Sequence, residues 1–147
     1  MEETLKLTGR VNYKLFDEAG NLKDERDVNN VVVTVGKNFL ATWIAAASQA
    51  GFFMQYLALG TGATAASASD TTLQTELATR VAGTLSSSTN VWQNQGTFGA
   101  GINTGAITEA GIFSASSAGT MLARQVFSVI NKAAGDSLQV TWQITLS

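Results

Sequence analysis

The chain opens and closes on strictly alternating runs. Leu5, Leu7, Gly9, Val11, Tyr13 and Leu15 interleave with Lys6, Thr8, Arg10, Asn12 and Lys14. Near the other end Leu138, Val140, Trp142, Ile144 and Leu146 interleave with Gln139, Thr141, Gln143 and Thr145. Successive side chains of a strand point to opposite faces, so a period of two gives one apolar and one solvated face. A helix has a period of 3.6 and would scatter the same residues around its axis. Such a chain is committed to a β core.

The rest follows from where the period changes. Glu18-Ala-Gly-Asn21 reads as a turn, because Gly and Asn tolerate positive φ. The chain then returns through Lys23–Asp27 into Val31–Val35, so residues 1–35 read as a long charged hairpin. From Gly36 to Gln49 the apolar residues Phe39, Leu40, Trp43, Ile44 and Ala47 recur at helical spacing. This predicts a packed core helix capped by Thr34 or Asn38 and ended by Gly51. A short strand is expected over 53–59. Asp70 is placed to cap a second helix running through Thr79, with Leu73 and Leu77 on one face. Further strands are expected near 80–86, 89–98, 105–114 and 120–130, with small-residue loops at 63–69 and 86–89. The expected fold is mainly β, a single domain over 1–147. It is an antiparallel β-sandwich or jelly-roll-like arrangement of about eight strands with two short helices. There is no proline, so exposed strand edges need bulges, charges or neighbouring subunits to protect them.

Composition removes several functions. No histidine and no cysteine are present, which excludes imidazole triads, disulfides and thiolate metal sites. The nine Lys and Arg form no basic cluster of the kind that binds phosphates, so nucleic acid is not an expected partner. No apolar run is long enough to span a bilayer, and the first residues lack a secretory pattern. Neither an enzyme nor a cofactor-binding protein is expected. Thirteen of the twenty charged residues fall in the first 37 positions; the remaining 110 rely on Ser, Thr, Asn, Gln and Gly. A neutral polar surface suits subunit contacts, since few charges need desolvating; a simple hydroxyl-rich β domain is the plainer alternative.

Several motifs need weighing. Gly60-Thr-Gly62-Ala-Thr-Ala65 formally matches a dinucleotide turn, but no helix starts there and no acid follows at ribose spacing. No lysine follows the glycines, so a phosphate loop fails too. Asp24–Asn30 clusters oxygen donors without the glycine and distal glutamate of a calcium loop, and reads as a solvated hairpin end. If Phe113 pairs with Thr120 and Ile112 with Met121, then Glu109 lies opposite Arg124. These two are expected to form a partly buried, register-fixing ion pair, although Arg80 is an alternative partner for Glu109. Phe52, Phe53 and Met54 are consecutive and cannot all face one core. One of Phe52 and Phe53 is therefore assigned to an interface. Trp92 and Phe98, set among polar residues, are further interface candidates, although the favoured position for Trp92 is its own core.

The stretch Leu57-Ala-Leu-Gly-Thr-Gly…Asp70…Glu76…Arg80 resembles a segment of tailed-bacteriophage virion proteins, both capsid decoration and tail-fibre or collar proteins. The resemblance continues in Ile107-Thr-Glu-Ala-Gly-Ile-Phe113, in Thr120-Met-Leu-Ala-Arg124 and in the Leu138–Leu146 strand. It implies a structural component of the virion, assembled in the host cytoplasm. The leading expectation is a decoration (cement) protein, a homo-oligomer (dimer or trimer) bound to the major capsid protein. The alternative is a tail, collar or baseplate component, disfavoured because no heptad or collagen-like shaft follows the last strand. A carbohydrate-binding module would have Trp43, Trp92 and Trp142 available, but Trp43 and Trp142 sit on apolar faces.

Overall fold

The structure, a computed structural model, describes residues 3–48 and 53–147. Among these described residues nine strands and one helix follow in the order β1 (Leu7–Phe16), β2 (Leu22–Val32), α1 (Thr34–Ala45), β3 (Tyr56–Gly60), β4 (Val81–Ala82), β5 (Thr84–Ser88), β6 (Val91–Phe98), β7 (Gly105–Phe113), β8 (Met121–Lys132) and β9 (Ser137–Leu146). All pair antiparallel in one sheet ordered β4-β3-β7-β8-β2-β1-β9-β6-β5. The two alternating runs meet directly: Val11 lies opposite Trp142 and Tyr13 opposite Val140, all four turned inward and buried.

The fold is mainly β and antiparallel, as expected, and the strands form one nearly closed, barrel-like sheet. Two elements explain the continuity. β2 pairs with β1 over most of its length, then with β8 through Val31 and Val32. Where the β2–β8 ladder is open, the Arg26 guanidinium bonds the carbonyls of Ser128 and Val129 instead. β4 and β5 sit at opposite ends of the strand order yet are separated by Gly83 alone, so this run carries the chain from one edge to the other. The Gly83 N–H donates to the Gln55 carbonyl (2.9 Å). The Asn94 amide of β6 donates to the carbonyls of Met54 and Gln55 at 3.0 and 2.9 Å. A Cβ at Gly83 would lie 1.7 Å from Asn94 Oδ1, so only glycine allows this closure.

The helices differ most from expectation. α1 starts at Thr34, two residues early, and neither Thr34 nor Asn38 caps it; Val33 is the N-cap and makes no side-chain bond. Tertiary contact draws it forward. Val33 N–H donates to the Leu122 carbonyl, and a Cβ at Gly36 would stand 2.5 Å from that same oxygen. Gly36 thus lets the first turn lie against the β8 backbone. α1 is packed only in part: half-buried Phe39 and Leu40 lie against the main core, but the helix ends at Ala45, Gly36 is its one fully buried residue, and Trp43 and Ile44 are exposed. Gly51, the expected stop, lies outside the described residues.

The second helix, over 70–79, is absent. Leu73 and Leu77 were expected on one face, but they enter different clusters. Leu73 packs with Phe113 and Met121, whereas Leu77 packs against the main core. The amides of Gln74 and Thr75 bond the Glu109 carboxylate rather than a helical carbonyl, and Leu77 N–H bonds Leu59 O at 2.9 Å. Residues 86–88, expected to be loop, belong to β5.

Candidate functional site

Glu109 is the most enclosed carboxylate, fully buried on β7. Its oxygens accept three backbone N–H bonds, from Gly62 (3.0 Å), Gln74 (3.0 Å) and Thr75 (2.7 Å). Arg124, on β8, adds two contacts to Oε2, from Nε at 3.0 Å and Nη2 at 2.9 Å. The same guanidinium donates to Asp70 Oδ2 (2.7 Å) and to the Thr64 carbonyl (3.0 Å). One carboxylate and one guanidinium thereby clasp the irregular segment 61–75 onto the barrel wall.

The register that brings them together differs from expectation. Gly111, not Glu109, lies opposite Arg124; Glu109 faces Val126. Phe113 pairs with Met121 and Ile112 with Ala123, leaving Leu122 as an extra residue in a bulge. The strands are shifted by two positions in all. A slip of one would have turned Arg124 to the other face, but a slip of two keeps both side chains on the same face.

Asp70 caps no helix. It accepts the Ser67 N–H at 2.9 Å and the Arg124 bond, closing a turn in the clasped segment. Burial opposes ionisation of Glu109, but the amides of Thr75 and Gln74, Arg124 and the Gly62 amide outweigh it and hold the carboxyl below its ordinary pKa. Asp70 is likewise held low: the Ser67 amide and Arg124 outweigh its burial. Arg80 does not bond Glu109. It pairs with Glu76 at 2.6 Å, lies 3.6 Å over the Phe113 ring and donates to the carbonyls of Ala115 and Ala118.

The glycines that mimic a nucleotide turn have a structural use. A Cβ at Gly60 or Gly62 would stand 2.5 or 2.6 Å from Glu109 Oε1. Thr61 N–H bonds Thr75 O and Gly62 N–H bonds Glu109, so these amides face protein groups. Gly62→Ala should therefore lower stability by about 1–3 kcal/mol, the usual cost of forcing atoms into a packed site. Urea denaturation measures this; an unchanged midpoint would show that the clasp tolerates displacement. Among the described residues no cluster of three or more Asp and Glu is placed to hold a metal ion.

The interface candidates separate. Phe98 is fully buried and belongs to the core, because its position on β6 faces inward opposite Leu138. Trp92 is half-buried at one end of the barrel, and Phe53 is exposed beside it. Phe52 lies outside the described residues. Both Trp92 and Phe53 border an apolar groove that α1 overhangs. Residue periodicity alone did not reveal it: an apolar helix face looks the same whether buried or open.

All seven charges after Lys37 are engaged within the molecule. Asp70, Glu109 and Arg124 share the clasp, Glu76 binds Arg80, and Asp136 binds Lys23 at 2.7 Å. Lys132 is buried with its ammonium on the Gly99 carbonyl, and burial lowers its pKa. No protein family, curated protein or solved structure matches the chain. Among the described residues no helix is long and apolar enough to cross a membrane.

Proposed function

We propose that the chain is a non-enzymatic decoration (cement) protein of a tailed-phage capsid, bound as an oligomer to the outer shell across neighbouring major capsid subunits. In this reading the two halves of the sheet serve as the layers of a jelly-roll-like sandwich. The observation that carries it is the internal use of every charge after Lys37, which leaves the body a neutral hydroxyl and amide surface. Such a surface packs against neighbours without stripping water from free charges. A second observation supports it. The blocks at 57–80, 107–113 and 120–124, which carry the resemblance to virion proteins, converge on the Glu109–Arg124 clasp. A carboxylate so enclosed holds a loop in place and is closed to proton transfer with a substrate. Many weak contacts repeated over a lattice stabilise it by mass action.

The test is to mix the purified chain with empty expanded capsids and with procapsids, and to count copies per particle by quantitative mass spectrometry. Selective binding to expanded shells at hundreds of copies is expected. A handful of copies at the portal end would assign the chain to a tail, collar or baseplate instead.

A further inference from the structure

The groove at the open end of the barrel has a volume of about 340 Å³ and walls made entirely of apolar side chains. Leu40 and Trp43 of α1 form one side; Leu7, Trp92 and Ile144 form the other. Its surroundings hold most of the large apolar side chains left in water. Trp43, Phe53 and Leu146 line it; Leu5 (65% exposed) lies two residues before the lining Leu7, and Ile44 (72% exposed) lies one helical turn after the lining Leu40. With large side chains of about 200 Å² each, this amounts to roughly 500 Å² of exposed apolar surface. A stable interface covers about 800 Å² on each partner, so the patch alone supplies more than half.

The remainder lies alongside. β5 ends the strand order, and among the described residues its backbone ladder is with β6 alone. Its sequence, Thr-Leu-Ser-Ser-Ser, has no charge, no proline and no bulge, the devices that normally protect an edge. Leu85 of this strand lines the groove, so the open edge and the apolar patch are continuous. No charged residue lines the groove or lies on β5, and Lys37 is the one charge on α1. The groove and the β5 edge themselves therefore bring no charge to a second copy; exposed Lys6, between Leu5 and Leu7, and Lys37 of α1 are the charges nearest in the chain. An antiparallel edge also pairs with itself about a two-fold axis.

We infer that the occupant of this surface is a second copy of the chain, forming a two-fold dimer that pairs the β5 edges and covers both grooves. This deepens the proposed oligomeric decoration protein by naming its self-contact. Analytical ultracentrifugation of the full chain in solution, without capsids, tests it. Wild type should sediment at twice the chain mass. Ile44→Glu should weaken the dimer by at least about 30-fold, a hot-spot-sized loss. It should do so with an unchanged circular dichroism spectrum, since Ile44 supports no core. Ser87→Pro, which removes one edge donor, should shift the equilibrium the same way. A wild-type monomer, a closed trimer, or a dimer unaffected by both substitutions overturns the inference. So does a monomer that takes up the apolar dye ANS in a one-to-one complex, which would assign the groove to a small ligand. A dimer that ignores capsids would strike only the decoration reading, and a monomer that binds them would strike only this one.

Discussion

Arg124→Met should lower stability by about 3–5 kcal/mol, the usual result of stranding a buried charge. Glu109 is fully enclosed and would keep its three amide donors but lose its counter-charge. Asp70 and the Thr64 carbonyl would lose their bonds as well. For a chain of this size the melting temperature should fall by roughly 10 °C or more. The double variant Glu109→Gln, Arg124→Met should be less damaged than the sum of the two single changes, because neither charge is then left alone. Calorimetry of the four proteins measures this coupling. Unchanged melting in Glu109→Gln would refute a structural role for the pair.

The same clasp sets an acid limit. Glu109 and Asp70 have pKa values held below those of the unfolded chain, about 4.3 and 3.9. Groups with depressed pKa values contribute their stability above the unfolded value and lose it as pH falls through the folded one. Denaturation midpoints should thus be level from neutral pH down to about 5 and decline below about 4. In Glu109→Gln the decline should be shallower, which equilibrium unfolding at stepped pH would reveal.

Trp142→Ala should cost about 3–5 kcal/mol, the range for emptying a large aromatic site in a core. Trp142 is fully buried at the middle of β9, between Val11 of β1 and Asn94 of β6. Neighbouring strands on both sides lean on it, so the barrel cannot collapse into the space without breaking its ladders. Trp142→Phe separates packing from polarity. Among the described residues the indole N–H has no hydrogen-bond partner, nor has Asn94 Oδ1 on the facing strand. Removing an unsatisfied donor offsets part of the lost volume, and the cost of Trp142→Phe should stay below about 2 kcal/mol. A Phe variant as unstable as the Ala variant, in urea denaturation, would mean that the indole makes a polar contact essential to the core.

Alternation set β1 and β9 from the residues alone, because a period of two has one physical solution when half the side chains are apolar. The strands at 91–98, 105–113 and 121–132 were also legible, as was the charged β1–β2 hairpin. Periodicity is a local property, and these elements satisfy it locally. The segment 70–79 shows where it stops: its leucines have helical spacing, but the amides that a helix would use are claimed by a carboxylate on a strand some 35 residues away. Val33–Val35 reads as strand, yet the carbonyl of Leu122 and the space at Gly36 begin a helix there.

The candidate site divides in the same way. That Glu109 and Arg124 share a face follows from strand parity, which survives an error of two in register. The addition of Asp70, Gly62 and Thr75 to that pair does not, because long-range loops leave no period in a sequence. Hydrophobic pattern, by itself, determined which side chains must leave water and which strands they build. Only the tertiary structure decided which apolar face stays open, since whether a neighbour covers α1 depends on how the nearly closed sheet positions it.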